Sequence, residues 1–228
     1  MPFAAFHKIL IGSRMIFEFM SKLRDWHASW KTELWKHKYL IIVSLFIFWL
    51  AIRVNLLASN YVDRIPVNSV SDVILDHIPS LDLDLVFGYG LILVVIAIIV
   101  YLLAYRIQDF HKVTLQFSLL IFARSCFITL THLGQPAAAR IVTDLPAAYQ
   151  LLNYHNDLFF SGHTAIPFMA YLLFKEDKIS AFFLVMTVVL SATVLLMHVH
   201  YSIDVFSAFF ITYGVYVFGE WFCREVYH

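Results

Sequence analysis

Residues 84–105 read DLVFGYGLILVVIAIIVYLLAY, with no Asp, Glu, Lys or Arg between Asp84 and Arg106. A helix needs about 20 apolar residues to cross ~30 Å of hydrocarbon, and this run supplies them without a polar stripe. A helix greasy on every side has no face for water, so its solvent is lipid. The rest of the chain shares this character. Of its 228 residues 61% are hydrophobic and 14% charged, against about 45–50% apolar and about 25% charged in soluble domains. Outward from 84–105, further apolar runs fall near 39–60, 113–133, 157–174, 179–199 and 201–222. The expected fold class is therefore an all-α integral membrane protein, a six-transmembrane-helix bundle over residues 39–222.

The flanks and loops complete this organisation. Residues 1–38 place Phe3, Phe6, Leu10, Phe17, Met20 and Leu23 at near-helical spacing among basic residues, the pattern of an amphipathic helix lying in the membrane interface. Lys8, Arg14 and Glu18 interrupt any apolar core that a signal peptide would need. Residues 223–228 are expected to form a short cytoplasmic tail. Pro66, Pro79, Pro136 and Pro146 mark the connections at 61–83 and 134–156 as loops. Cys126 and Cys223 lie in different apolar runs and suggest no disulfide framework. Twelve of the sixteen Lys and Arg fall at residues 1–38, 106–112, 175–178 and 224, whereas Arg64 and Arg140 alone occupy the opposite loops. Cytoplasmic loops carry the basic excess, so both termini are expected in the cytoplasm. The start of the fourth run and the junction of the fifth and sixth then face the extracytoplasmic side.

On that side the apolar pattern is broken by Asp157, by Ser161-Gly162-His163-Thr164 and by His198-Val199-His200-Tyr201-Ser202-Ile203-Asp204, with Arg124 deeper in the third run. Ionisable groups inside spans are costly and mark function by default. Ser161 before an apolar helix reads as an ordinary N-cap. With Gly162 and His163 it also reads as an anion site, because a helix start offers unpaired N–H groups and partial positive charge. His163 beside it is suited to moving a proton near neutral pH. His200 and Asp204 are four apart, so Asp204 can accept from one ring nitrogen and leave the other as a nucleophile. A structural His–Asp pair joining helices is the alternative. His198, His163 and Asp204 together make a metal site conceivable. However, residues two apart on a helix diverge, so His198 is expected to be a polar neighbour of the pocket. Arg124 either snorkels or serves the substrate phosphate or Asp157.

The motifs DLFFSGHT at 157–164 and HVHYSID at 198–204, with His163 and His200 37 residues apart, resemble the sphingomyelin synthase family. That family is a branch of the type 2 phosphatidic acid phosphatase superfamily, and the resemblance extends over roughly residues 40–222. It implies a transferase that takes phosphocholine or phosphoethanolamine from a glycerophospholipid donor, passes it to a lipid alcohol such as ceramide, and releases diacylglycerol. It also implies that His200 is the nucleophile, that Asp204 orients it and that His163 exchanges the proton. Asp157, Ser161, Gly162, Arg124, Tyr201 and His198 would bind substrate. No cofactor, no metal and no nucleic acid are expected; the partners are the two lipids and the bilayer, and the sequence leaves the oligomeric state open. The superfamily's phosphatases carry an Arg-Pro motif and an arginine six residues before the nucleophile. This chain has no Arg-Pro, and that position is Val194. A monoester carries nearly two charges and gains about 1.5–3 kcal/mol from each charge-assisted bond, so the site suits a singly charged diester. Hydrolysis by the same residues, as in a lipid phosphatase or a phospholipase C, is the alternative. A catalytically silent lipid-binding or transport protein is another, against which the retention of all three catalytic residues argues.

Overall fold

A computed structural model describes residues 30–139 and 158–227. The expected interfacial segment falls mostly outside these residues, as do Arg140 and Asp157. Among the described residues there is no strand, and after a helical stretch at 30–36 the chain forms six longer helices. These are α1 (Lys38–Val62), α2 (Asp84–Tyr105), α3 (Phe110–Leu130), α4 (Gly162–Leu173), α5 (Ser180–Leu196) and α6 (Ser202–Tyr227). Helices α1, α2 and α6, together with α3 and the short turn before it, are long and apolar enough to cross a membrane. Their outward faces carry large apolar side chains such as Ile42, Phe46, Trp49, Ile96 and Phe210, all exposed, which suits lipid rather than water. The chain is an integral membrane protein.

Of the two shorter helices α4 is the inner one, with no exposed residue, whereas α5 turns Val185 and Val188 outward. α5 is apolar over 17 residues and α4 has 12, so α4 spans ~18 Å at about 1.5 Å per residue. The apolar run at 157–174 was expected to be a single span. Its helix starts late because Phe160 adopts φ 75°, a left-handed conformation that a helix cannot contain. It stops at Leu173 before Lys175, Glu176, Asp177 and Lys178. α4 packs against α5, α6, α2 and α3, whereas α1 rests on α3. Irregular backbone beside α4 is thereby enclosed by protein, the condition under which it is tolerated at membrane depth. Phe174, Phe183, Leu190 and Val94 form the largest buried cluster, between α2, α4 and α5. α6 runs on to Tyr227, through the residues expected to be a tail.

The turns gather at two ends. At one end Leu81 N–H donates to the Leu196 carbonyl at 2.7 Å, and the Tyr201 hydroxyl joins Val70 and Gly134. At the other, Arg106 reaches Asp109 at 2.7 Å and Asp177 at 3.1 Å, and Lys112 pairs with Glu220 at 2.8 Å. Among the described residues, 161–164 and 198–204 lie at the first end.

Candidate active site

The α5–α6 corner is made by backbone geometry that few residue types accept. Val199 N–H returns to the Val194 carbonyl, and His198 takes φ 55°, the left-handed conformation that usually ends a helix at Gly or Asn. His198 therefore lies in a turn, not on the helix where the sequence placed it. Its ring is buried, and Nε2 has no hydrogen-bond partner among the described residues. Two residues on, the corner presents His200, and α6 starts at Ser202.

Asp204 sits in the first turn of α6 and is fully buried. Its Oδ2 accepts the Tyr201 N–H at 2.9 Å and lies 3.4 Å from His200 Nδ1. The first contact fixes the carboxylate. The second is long for a charge-assisted bond, as contacts between catalytic groups often are before substrate tightens them. With Nδ1 turned to Asp204, Nε2 is the ring nitrogen left for chemistry. Asp204 also joins the two motifs through the backbone, because its carbonyl accepts the Ser161 N–H at 3.2 Å.

Ser161 occupies the N-cap position of α4, yet its hydroxyl makes no capping bond. It is fully buried, and Oγ has no partner among the described residues. The plain N-cap role is thus not what this side chain performs. Gly162 is the first residue of α4, and a Cβ there would stand 4.0 Å from Arg124 Nε. Arg124 and the start of α4 are therefore neighbours. Its Nη1 donates to Asn55 Oδ1 at 3.1 Å, and Asn55 also receives Ser125 Oγ at 3.4 Å. Arg124 lies six residues before the end of α3, roughly 9 Å along the axis, and α1 holds it at that depth.

His163 is buried with its ring stacked on Phe87 of α2, the centroids 4.0 Å apart and the planes at 24°. It also hydrogen-bonds the Phe87 backbone and lies within electrostatic reach of His200 and Arg124. Next to it, Thr164 accepts from Ser191 Oγ at 3.0 Å and ties α4 to α5. Pro167 removes the N–H that would otherwise reach back to the His163 carbonyl.

The structure thus brings His163, His200, Asp204, Ser161, Gly162 and Arg124 to one end of the bundle, with His198 buried in the α5–α6 turn. Tyr201, expected to bind substrate, is 1% exposed, and its hydroxyl is taken by the Gly134 carbonyl and the Val70 N–H. In that position it braces the corner. Sequence reasoning passed over Asn55 and Phe87. Asn55 carried a signal, an amide in the middle of an apolar run; Phe87 carried none.

Residues 156–221 match the family described as PAP2 superfamily C-terminal. The match takes in both motifs and most of α6. It supports the type 2 phosphatidic acid phosphatase superfamily and, with it, chemistry of the lipid phosphatase or phosphotransferase type; it does not reach a particular branch. No curated protein matches the chain.

Proposed function

We propose that the chain is a sphingomyelin synthase-like phosphotransferase that moves a phosphorylated headgroup from a glycerophospholipid to a lipid alcohol. The observation that carries this reading is the contact of His200 Nδ1 with Asp204 Oδ2, made where the Asp204 carbonyl also anchors Ser161. With Nδ1 engaged, Nε2 is the ring nitrogen left to act as the nucleophile on phosphorus. The donor phosphodiester lies at the start of α4, where the Ser161 hydroxyl, the first N–H groups of the helix and Arg124 meet its single negative charge.

In the first step Nε2 bonds to phosphorus as the phosphorus–oxygen bond to diacylglycerol breaks. His163 gives its proton to the departing oxygen. In the second, the acceptor hydroxyl loses its proton to His163 and attacks phosphorus, and the phosphorus–nitrogen bond breaks to restore His200. The headgroup ends on the acceptor and no net proton is consumed. His163 is suited to this exchange because Phe87 fixes its ring in one plane. We place the six helices as six spans, with both termini in the cytoplasm and the site on the extracytoplasmic side.

The match to a phosphatase family favours a second reading, in which water replaces the acceptor alcohol. One assay separates them. In mixed micelles the protein should cleave phosphatidylcholine or phosphatidylethanolamine to diacylglycerol faster than it releases phosphate from phosphatidate. Adding ceramide should raise diacylglycerol yield and produce the headgroup-bearing ceramide. Preference for phosphatidate with no response to ceramide would make the enzyme a phosphatase.

A further inference from the structure

The loop between α1 and α2 grips the α5–α6 corner through contacts that the transfer steps do not use. Asp72, 9% exposed, engages both of its carboxylate oxygens. Oδ1 accepts the N–H groups of Ile74 and Leu75 at 2.9 and 3.2 Å, which closes its own loop into a turn. Oδ2 accepts the Ser202 N–H at 2.7 Å and the Ser202 hydroxyl at 2.8 Å. Ser202 is the first residue of α6, so its N–H is one of those a helix cannot satisfy internally. A carboxylate also suits the positive end of a helix. Here the cap comes from a segment 130 residues away.

The neighbouring residue is held as firmly. Tyr201 Oη accepts the Val70 N–H at 3.1 Å and donates to the Gly134 carbonyl at 2.8 Å, while the Gly134 N–H returns to the Asn68 carbonyl at 3.1 Å. A Cβ at Gly134 would lie 2.7 Å from the Asn68 carbonyl carbon, so only glycine permits that approach. Tyr201 and Ser202 lie between His200 and Asp204. The Tyr201 N–H is the shorter of the two contacts to Asp204 Oδ2, and the His200 contact, at 3.4 Å, has little distance to lose.

We propose that Asp72 is a positioning residue of the phosphoryl transfer, holding the first turn of α6 through Ser202 so that Asp204 stays against His200. This rests on the reading of His200 as nucleophile. Release of Ser202 lets the turn shift by about 1 Å, which breaks the Nδ1 contact and frees the imidazole to rotate or change tautomer. The reacting geometry is lost while Arg124, held by Asn55 of α1, keeps its place beside the start of α4.

The test uses the full chain in lipid nanodiscs with a donor labelled in its phosphate. It follows the phosphohistidine formed, the kcat and KM for donor, and the melting temperature. Asp72→Ala should slow adduct formation and kcat by about 100-fold, the scale of a misplacement near 1 Å, with KM unchanged. Asp72→Asn keeps a carbonyl acceptor for the Ser202 N–H and should recover part of the rate; it also serves if the alanine variant does not fold. Ser202→Ala should slow the reaction less, and adding it to Asp72→Ala should cost nothing further, because both act on one contact. Wild-type rates in both Asp72 variants would overturn the proposal, as would a raised KM with kcat unchanged. A wild-type protein that forms no phosphohistidine would overturn this proposal together with the transferase reading, whereas failure of the Asp72 variants alone leaves that reading standing.

Discussion

Phe160 and His198 are the non-glycine residues with positive φ among the described residues, and each lies within three positions of a proposed catalytic histidine. Such conformations cost about 1–3 kcal/mol each and persist where the surroundings over-determine them. His198 tolerates its place better than a β-branched residue would. His198→Val should therefore melt lower than the wild type, by about 1–3 kcal/mol of stability, while His198→Asn stays close to it; equal melting temperatures would remove the strain argument. The proposed roles of the two histidines separate by leaving group. His200→Ala should abolish an acid-labile, base-stable phosphoryl adduct and all turnover. His163→Ala should slow diacylglycerol release by about 10²–10⁴-fold, the usual contribution of a positioned acid. A donor with a p-nitrophenolate leaving group needs no proton to depart, so His163→Ala should form its adduct at nearly the wild-type rate. An equal loss with both donors would deny His163 the role of acid. His163, His200, Asp204 and Ser161 were legible because each sits in a short motif whose spacing already implies a shared face or turn. Phe87 and the Asn55–Arg124 contact were not, since they join residues on separate helices and nothing local announces the pairing.

At the level of elements, the apolar runs were read to within a few residues at α1, α2, α3 and α5, because hydrocarbon sets both the length and the greasiness of a spanning helix. At the inner helix the end matches and the start does not. α4 begins at Gly162 rather than 157 and stays short, which is possible because its neighbours, not lipid, surround it. Nothing in the sequence tells a lipid-facing run from a protein-facing one. The loop at 61–83 was equally opaque, its prolines announcing a loop and not the grip on α6. That grip has a pH signature. Burial pushes the Asp72 carboxyl up, but bonds from the Ser202 N–H and hydroxyl and from the Leu75 and Ile74 N–H groups outweigh it and leave its pKa below the ordinary carboxylate value. A carboxylate lowered on folding adds stability above its unfolded pKa, and that stability is lost as pH falls through the lowered value. Melting temperature should therefore fall on acidification below the ordinary carboxylate range. Asp72→Asn should start lower at neutral pH and lose less over the same interval. Parallel curves for the two proteins would mean that Asp72 contributes nothing through its charge.

For the whole molecule the decisive quantity is which end of the bundle faces the cytoplasm, because it fixes the leaflet on which the proposed transfer would draw. The turns at 63–83, 131–139 and 197–201 meet at the site end, and Arg106, Lys112, Asp177 and Glu220 meet at the other. Basic residues crowd the second group of segments and are nearly missing from the first. Moving a Lys or Arg across the bilayer centre costs several kcal/mol, and insertion retains the basic loops on the cytoplasmic side. The His163–His200 end should then be extracytoplasmic. Asn60 and Ala138 are exposed at that end, and Glu176 is exposed at the opposite one. In a background with Cys126 and Cys223 replaced, a single cysteine at position 60 or 138 should react with an impermeant maleimide on intact cells. One at position 176 should react only after permeabilisation. Labelling at both ends from outside would mean mixed insertion. The reverse pattern would place the site on the cytoplasmic side, where a phosphotransferase would draw its donor from the inner leaflet and leave diacylglycerol there.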